Sequence, residues 1–264
     1  MTKALQVVFD TEFTGLQKDT DLISIGCITK DGHVFYGQTT DYDAEKASEA
    51  TQEFIKETIE PSLFSSISEL INSDLGKLLL DTDNPNNIAI VIDTYENVSK
   101  QFQEWVKWIW EESNDEYEVM TFVSDVAHYD AVLLIDMLSG GKDAFQIPTF
   151  VCPAIYDIMF DIHLYLFSAP VLSTKRLDYF YDAFDINRET FVVYLMDTMK
   201  TDLAMKYSDT HPNFLVNHVL NAYSKDPDKF KEFMVSSKHS SIFDALVIYL
   251  IYQFLIVDVI EEDL

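Results

Sequence analysis

Basic residues are scarce in this sequence. Its 264 residues include 18 Lys and Arg against 45 Asp and Glu, which gives a formal net charge of −27 at pH 7. Proteins that bind nucleic acid through a broad basic surface gain affinity by neutralising phosphates, whereas a chain this acidic repels phosphates at long range. The composition therefore argues against that mode of binding. Any phosphate chemistry would have to rely on bound cations and on a few local Lys and Arg residues.

Cysteine and uninterrupted apolar runs are scarce too. Cys27 and Cys152 are the only cysteines and no CxxC motif occurs, which excludes a disulfide framework, so we expect a reducing, cytoplasmic compartment. The first ten residues lack the basic and apolar regions of a signal peptide. The apolar run 242–260 is interrupted by two Asp and one Gln and has no basic cluster beside it. We therefore expect a buried core helix there rather than a membrane span.

Hydrophobic residues make up 48% of the chain and aromatic residues 14%, enough for one large folded domain or for one domain with a sizeable insertion. Tight turns between the first three predicted strands indicate antiparallel pairing, and the later alternation of helices and strands predicts an α/β or α+β sheet covered by helices. We expect a mainly helical insertion at about 41–93 and a helix-rich segment at about 153–237. The predicted strands are 5–12, 21–29, 33–40, 87–93, 118–125 and 145–151, and the clearest helices are 95–112 and 127–138.

The first strand ends in two carboxylates one residue apart. In VVFDTEFTGL, Asp10 and Glu12 lie on the same face because side chains alternate along a strand. Two like charges side by side repel and raise each other's pKa unless a positive group lies between them. A hard divalent cation such as Mg²⁺ is the usual positive partner of an oxygen-lined site. The pair therefore predicts a metal site that needs further ligands from elsewhere in the chain.

Two later acids fall on apolar helix faces. Asp130 shares a face with three apolar residues, although an acid in the first turn is also favoured by the helix dipole. Asp125 lies just before this helix and could be its N-cap. Asp244 shares a face with Ile248, Ile251 and Leu255, although Ser241 and Asp244 also fit a capping box. His239 precedes Asp244 by five residues, where a lone histidine is usually a surface or capping residue.

The order of these residues resembles the DEDDh branch of the ribonuclease H-like 3′→5′ exonucleases. FDTEFTGL is similar to the first motif of that family, and H-x₄-D before a late helix is similar to its third. DLISIG and VSDVAHYDAVLL are more similar to ribonuclease AS-type exoribonucleases and their phage-encoded relatives. Tyr129 stands where the family has Phe, no Asn precedes it, and Ser241 stands at an Ala position. None of these three differences removes a metal ligand.

The resemblance implies a fold and a reaction. The fold would be α/β, a ribonuclease H-like mixed sheet with three antiparallel strands followed by parallel strands, helices on both faces, and residues 1–264 in a single domain. The reaction would be metal-dependent release of nucleoside 5′-monophosphates from the 3′ ends of single-stranded RNA or DNA. Two Mg²⁺ or Mn²⁺ ions would be held by Asp10, Glu12, Asp130 and Asp244, with Glu12 and His239 as the catalytic residues and His239 as the base. No membrane partner is expected, and a homodimer is one expectation, since dimers are common among such proteins.

Further residues are predicted to contact the substrate, some beside the first motif and some just before the third. Phe13 and Leu16 could stack on a terminal base, with a core position as the equal alternative for Phe13. The segment 225–239 holds four Lys against three acids, a local net charge of +1, which is either a solvated helix face or a phosphate contact through Lys229, Lys231 and Lys238. The alternative function is an acidic binding protein that mimics nucleic acid on an exonuclease scaffold.

Overall fold

The computed structural model describes ten parts of the chain, and its elements closely follow the predicted pattern. The described residues are 3–17, 19–29, 31–79, 87–113, 116–125, 127–141, 146–158, 192, 214–236 and 240–253. The strands are β1 (Ala4–Phe13), β2 (Leu22–Thr29), β3 (Val34–Thr39), β4 (Ile88–Asp93), β5 (Val119–Ser124) and β6 (Tyr156–Asp157). The helices are α1 (Glu49–Phe54), α2 (Ile67–Asn72), α3 (Asp74–Leu79), α4 (Tyr95–Glu112), α5 (Ala127–Ser139), α6 (Phe214–Lys225), α7 (Pro227–Ser236) and α8 (Ser241–Ile251).

The six strands form one mixed sheet in the order β4-β3-β2-β1-β5-β6. β2 is antiparallel to both of its neighbours, β1 and β3, as the tight turns between these strands predict. β4 adds in parallel to β3, while β5 adds in parallel to β1 and β6 to β5. The predicted mixed α/β sheet, antiparallel at first and parallel afterwards, is confirmed.

Helices cover both faces of the sheet. Val7 and Phe9 of β1 belong to a core cluster that includes the buried sides of α4 and α5. Val8, which points the other way, belongs to a second cluster dominated by α8. In α4, Val98, Phe102, Trp105 and Ile109 are all buried, as their helical spacing predicts. The two faces of β1 therefore look onto different helices, and this decides where each functional side chain points.

The predicted strand 145–151 is not formed by residues 146–151, which the structure describes, contrary to the sequence-based expectation. Its described residues form turns, and only Val151 makes an isolated bridge, to Met120. Pro148 within this run has no N–H to donate to a ladder, and proline disfavours a continuous interior strand. The parallel partner of β5 is instead the two-residue β6, in which Tyr156 pairs with Val123.

The segment 41–93 contains short helices followed by a strand. Its helical turns lie between Ala44 and Leu79, and its last six residues are β4, an edge strand of the sheet. α8 is almost completely buried over its length, as expected for the first half of the apolar run 242–260. Within the described part of the chain, no helix combines the length and apolarity that crossing a membrane requires.

The aromatic core between α4 and the sheet yields a stability prediction. Phe102 is fully buried and its ring lies 5.2 Å from that of Phe35 and 6.3 Å from that of Phe122. Phe102→Ala should lower the free energy of unfolding by about 3–5 kcal/mol because it leaves a large cavity. Phe54→Ala, the same change at a ring that is 46% exposed, should cost less than half as much. Urea unfolding measures both, and equal losses would contradict this packing.

Candidate metal centre

Asp10 and Glu12 lie on the face of β1 that looks toward α8. Val7 and Phe9 point to the opposite face, so the alternation of the strand sends residues 8, 10 and 12 to the α8 side. In β2, Gly26 pairs with Asp10 and Ser24 pairs with Glu12. The two acids are therefore flanked across the ladder by a glycine and a small serine, which leaves room for a helix to approach.

The first turn of α8 lies directly against that part of β2. A Cβ atom at Gly26 would lie 2.3 Å from the Cα of Ile242 and 2.4 Å from its backbone nitrogen. The hydroxyl of Ser241 donates to the hydroxyl oxygen of Ser24 at 2.9 Å, and both groups are buried. Glycine inside a strand commonly marks such a close backbone approach. Gly26 thus determines how near the helix comes to Asp10, and the hydrogen bond between Ser241 and Ser24 adds a contact beside it.

This approach brings three carboxylates together. One oxygen from each of Asp10, Glu12 and Asp244 lies within 4.8 Å of the others, and all three residues are partly buried. We call these three residues the acidic trio. Their donor set consists only of carboxylate oxygens, which suits a hard divalent cation such as Mg²⁺. The acidic trio could therefore hold a metal ion.

The electrostatics of the acidic trio are unfavourable without a cation. Burial raises the pKa of Asp10 well above its usual value, and the charges of Asp244, Asp130, Glu12 and Asp125 raise it further, in that order. Burial, with a smaller contribution from Asp130, raises the pKa of Glu12 to about 7. A cation bound among these groups would favour their ionised forms and displace protons from them.

Asp130 lies beside the acidic trio but belongs to the other face of β1. The hydroxyl of Thr11 donates to its Oδ1, and Thr11 points away from Asp10 and Glu12. The hydroxyl of Ser124 donates to its Oδ2 at 3.3 Å. Burial raises its pKa to about 6, while the Thr11 and Ser124 hydrogen bonds oppose that rise. Its charge acts on Asp10 and Glu12, but its oxygens are not part of the 4.8 Å group.

Asp125 is a further acid at this edge, and sequence reasoning treated it as a helix cap. It is buried, and its charge raises the pKa of both Asp10 and Asp130. β1 and β5 are parallel, and Val8 lies opposite Val123. Asp10 follows Val8 by two residues and Asp125 follows Val123 by two, so this register makes the two acids neighbours. Acids at the carboxyl ends of adjacent parallel strands meet at one edge of the sheet.

The residues predicted to contact the substrate differ in how exposed they are. Phe13 is partly buried and packs against the core cluster that contains Phe9, whereas Leu16 is 65% exposed in the turn after β1. Lys229 is exposed on α7, and Lys231, two positions later, is partly buried. Lys238 and His239 lie outside the described residues, so the predicted base stays a prediction.

No model of a protein family matches the chain, and no curated protein matches it. The resemblance to the exonuclease family therefore rests only on the motif residues of this chain. The structure adds an observation that does not depend on the resemblance. Asp10 and Glu12 of β1 lie close to Asp244, although Asp244 is more than 230 positions away in the chain. The function must be argued from this geometry.

The contact at Gly26 yields a prediction for metal binding. Gly26→Ala should push α8 away from β2, lower the affinity for Mn²⁺ at least about tenfold, and cost about 1–3 kcal/mol of stability through overpacking. Calorimetric titration with Mn²⁺ and urea unfolding measure the two effects. As a control, Ser241→Ala removes only the hydrogen bond to Ser24, should cost about 1 kcal/mol, and should keep the Mn²⁺ affinity. Unchanged Mn²⁺ binding in Gly26→Ala would contradict the positioning role of this contact.

The raised pKa values predict how stability depends on pH. Folded Glu12, with a pKa of about 7, binds more protons than the unfolded chain does above pH ~4, so its contribution to stability falls as pH rises from about 4 to 7. Metal-free protein in chelator should therefore lose stability across this window faster than Glu12→Gln does. Adding Mg²⁺ should stabilise the native protein more at pH 8 than at pH 5. Urea unfolding at each pH tests this, and a steeper fall in Glu12→Gln would refute it.

Proposed function

We propose that the protein is a metal-dependent 3′→5′ exonuclease that hydrolyses single-stranded RNA or DNA from the 3′ end. The observation that carries the proposal is the acidic trio, in which carboxylates from a strand and a distant helix lie within 4.8 Å of one another. Repelling carboxylates are costly to bury, and a cluster with raised pKa values in a defined geometry is a candidate functional site. The motif order described above selects the reaction among those that such a site could support.

The donor chemistry of the acidic trio suits Mg²⁺ or Mn²⁺. Asp10 lies between the other acids electrostatically, because the charges of Asp244, Asp130 and Glu12 all act on it, so it is our candidate for a ligand shared by two ions. Glu12 and Asp244 would complete the site of one ion. Ions held there would neutralise the charge that develops on the phosphodiester and lower the pKa of the attacking water.

Asp130 and Asp125 are assigned by their contacts and charges, and His239 by the motif resemblance. Asp130 is held by Thr11 and Ser124 on the opposite face of β1, so we assign it a contact with the second site through water rather than directly. Asp125 adds negative charge at the same edge and strengthens cation binding electrostatically. His239 is proposed to remove the proton from the attacking water, a role that suits its usual pKa near ~6.5.

The sheet is consistent with a ribonuclease H-like fold. Three antiparallel strands are followed by parallel strands on the β1 side, and helices pack on both faces. The two acids of β1 lie beside the parallel partner β5, at the edge where α5 begins. Fold alone does not decide function, so the assignment depends on the acids and not on the sheet.

Digestion of 3′-labelled single-stranded RNA and DNA in parallel, with Mg²⁺ and with Mn²⁺, tests the proposal. We expect release of labelled nucleoside 5′-monophosphates and complete inhibition by chelator. Asp10→Asn should lower kcat/KM at least about 100-fold, since losing a ligand should exceed the ~10–100-fold cost of losing a ligand's hydrogen-bond partner. The RNA and DNA arms identify the preferred substrate.

The matched control is Asp19→Asn, the same change at an exposed acid in the turn after β1, which should leave kcat/KM unchanged. Internal cleavage products, or equal activity of Asp10→Asn, would refute the exonuclease proposal. Absence of cleavage with either metal, together with tight binding to a basic protein groove, would favour the acidic nucleic-acid mimic instead.

A further inference from the structure

A cavity of about 340 Å³ lies between three helices away from the acidic trio. It is lined by residues of α3, α6 and α7 and by Asp226, which joins α6 to α7. Its volume falls at the lower end of the ~300–1,000 Å³ typical of small-molecule sites. None of its lining residues belongs to the proposed metal centre. The cavity is therefore a separate candidate for ligand binding.

One side of the cavity is apolar and aromatic. Leu78, Ala222, Phe230 and Phe233 form this wall. Phe230 is held edge-on by Tyr223 at 5.7 Å, and Phe233 is held edge-on by Phe243 of α8 at the same distance. Rings that are held in place on their buried side can present a fixed apolar surface to a ligand. Such a surface suits a planar aromatic group, since stacking tolerates many ring chemistries.

The other side of the cavity is basic, in contrast to the rest of the chain. Lys77, Lys225 and Lys229 come from three different helices, and with Asp74 and Asp226 they leave a net charge of +1 around the cavity. Lys77 pairs with Asp74 at 3.3 Å. Asp226 accepts a hydrogen bond from the backbone N–H of Lys229 at 3.1 Å. Among the described residues, neither Lys225 nor Lys229 forms an ion pair, so both ammonium groups can bind an anion.

We propose that this cavity binds one nucleotide, with the base against Phe230 and Phe233 and the phosphate at Lys225 and Lys229. A small inorganic anion would leave the aromatic wall empty, and a purely apolar ligand would leave the lysines without a partner. A nucleotide satisfies both sides at once, as a free mononucleotide or as one residue of a single strand. This proposal does not require the acidic trio to hydrolyse anything.

Lys229 and Lys231, which the sequence analysis grouped as phosphate contacts, differ in their position relative to the cavity. Lys229 lines it, but Lys231 does not belong to the lining. Residues two apart on a helix do not face the same side, so one of the two can contact a ligand in the cavity while the other cannot. Lys231 therefore provides a control for Lys229 on the same helix, with the same change of charge.

Calorimetric titration of the full chain with AMP, UMP and a five-residue oligonucleotide, all in chelator, tests the proposal while any metal-dependent cleavage is suppressed. Lys225→Gln with Lys229→Gln should weaken mononucleotide binding at least about tenfold, as expected for lost charge-assisted hydrogen bonds. Lys231→Gln should change it less than about twofold. Ala222→Leu should weaken it without changing charge, because the larger side chain fills the cavity.

Three results would overturn the proposal: no binding of any nucleotide, equal weakening by Lys231→Gln, or nucleotides binding no more tightly than inorganic phosphate and adenosine do. Tighter binding of the oligonucleotide than of AMP would assign the cavity to a strand residue, and the reverse to a free nucleotide. If the double variant fails to fold by circular dichroism, the exposed single variant Lys229→Gln supplies the same comparison. Since these titrations need no metal, their outcome is independent of the digestion assay.

Discussion

The close contact between Gly26 and the first turn of α8 is the constraint on which the candidate site depends. β1 alone places Asp10 and Glu12 on one face, but the third carboxylate comes from a helix more than 200 residues later in the chain. Asp244 reaches the pair because β2 carries no side chain at Gly26, so the helix backbone can come within contact distance. The resulting cluster is electrostatically costly, as the raised pKa of each strand acid shows. Such a cost fits a site that a divalent cation could occupy.

Much of the fold could be predicted from the sequence because its strongest signals are local. Helical spacing of apolar residues predicted 95–112, and the helix is Tyr95–Glu112. The helix expected at 127–138 ends at Ser139, directly before Gly140 and Gly141, and glycine is common just after a helix. The period of two along a strand placed Asp10 and Glu12 on a common face, and the apolar stripe of the last described helix directed Asp244 inward. Each of these inferences needs only the residues within one element.

The remaining features depend on contacts between elements, which a single sequence does not contain. Asp125 looked like a helix cap because its role follows from the register of β1 against β5, and that register is not local. The segment 145–151 has the apolar content of a strand, but Pro148 and its surroundings allow only one bridge. Asp130 was correctly expected to face inward. Its position on the Thr11 face of β1, however, is fixed by hydrogen bonds from the hydroxyls of Thr11 and Ser124. Tertiary packing decided all three.

The overall charge of the chain connects the two candidate sites. At −27 the protein repels phosphates from a distance, so any phosphate it binds must find positive charge locally. The acidic trio has none of its own and would obtain it from divalent ions, whereas the cavity between α3, α6 and α7 obtains it from lysines. The two sources respond differently to conditions, since chelator removes the first and salt screens the second. The scarcity of basic residues is therefore compatible with phosphate chemistry, provided that the few lysines present are concentrated where a ligand can use them.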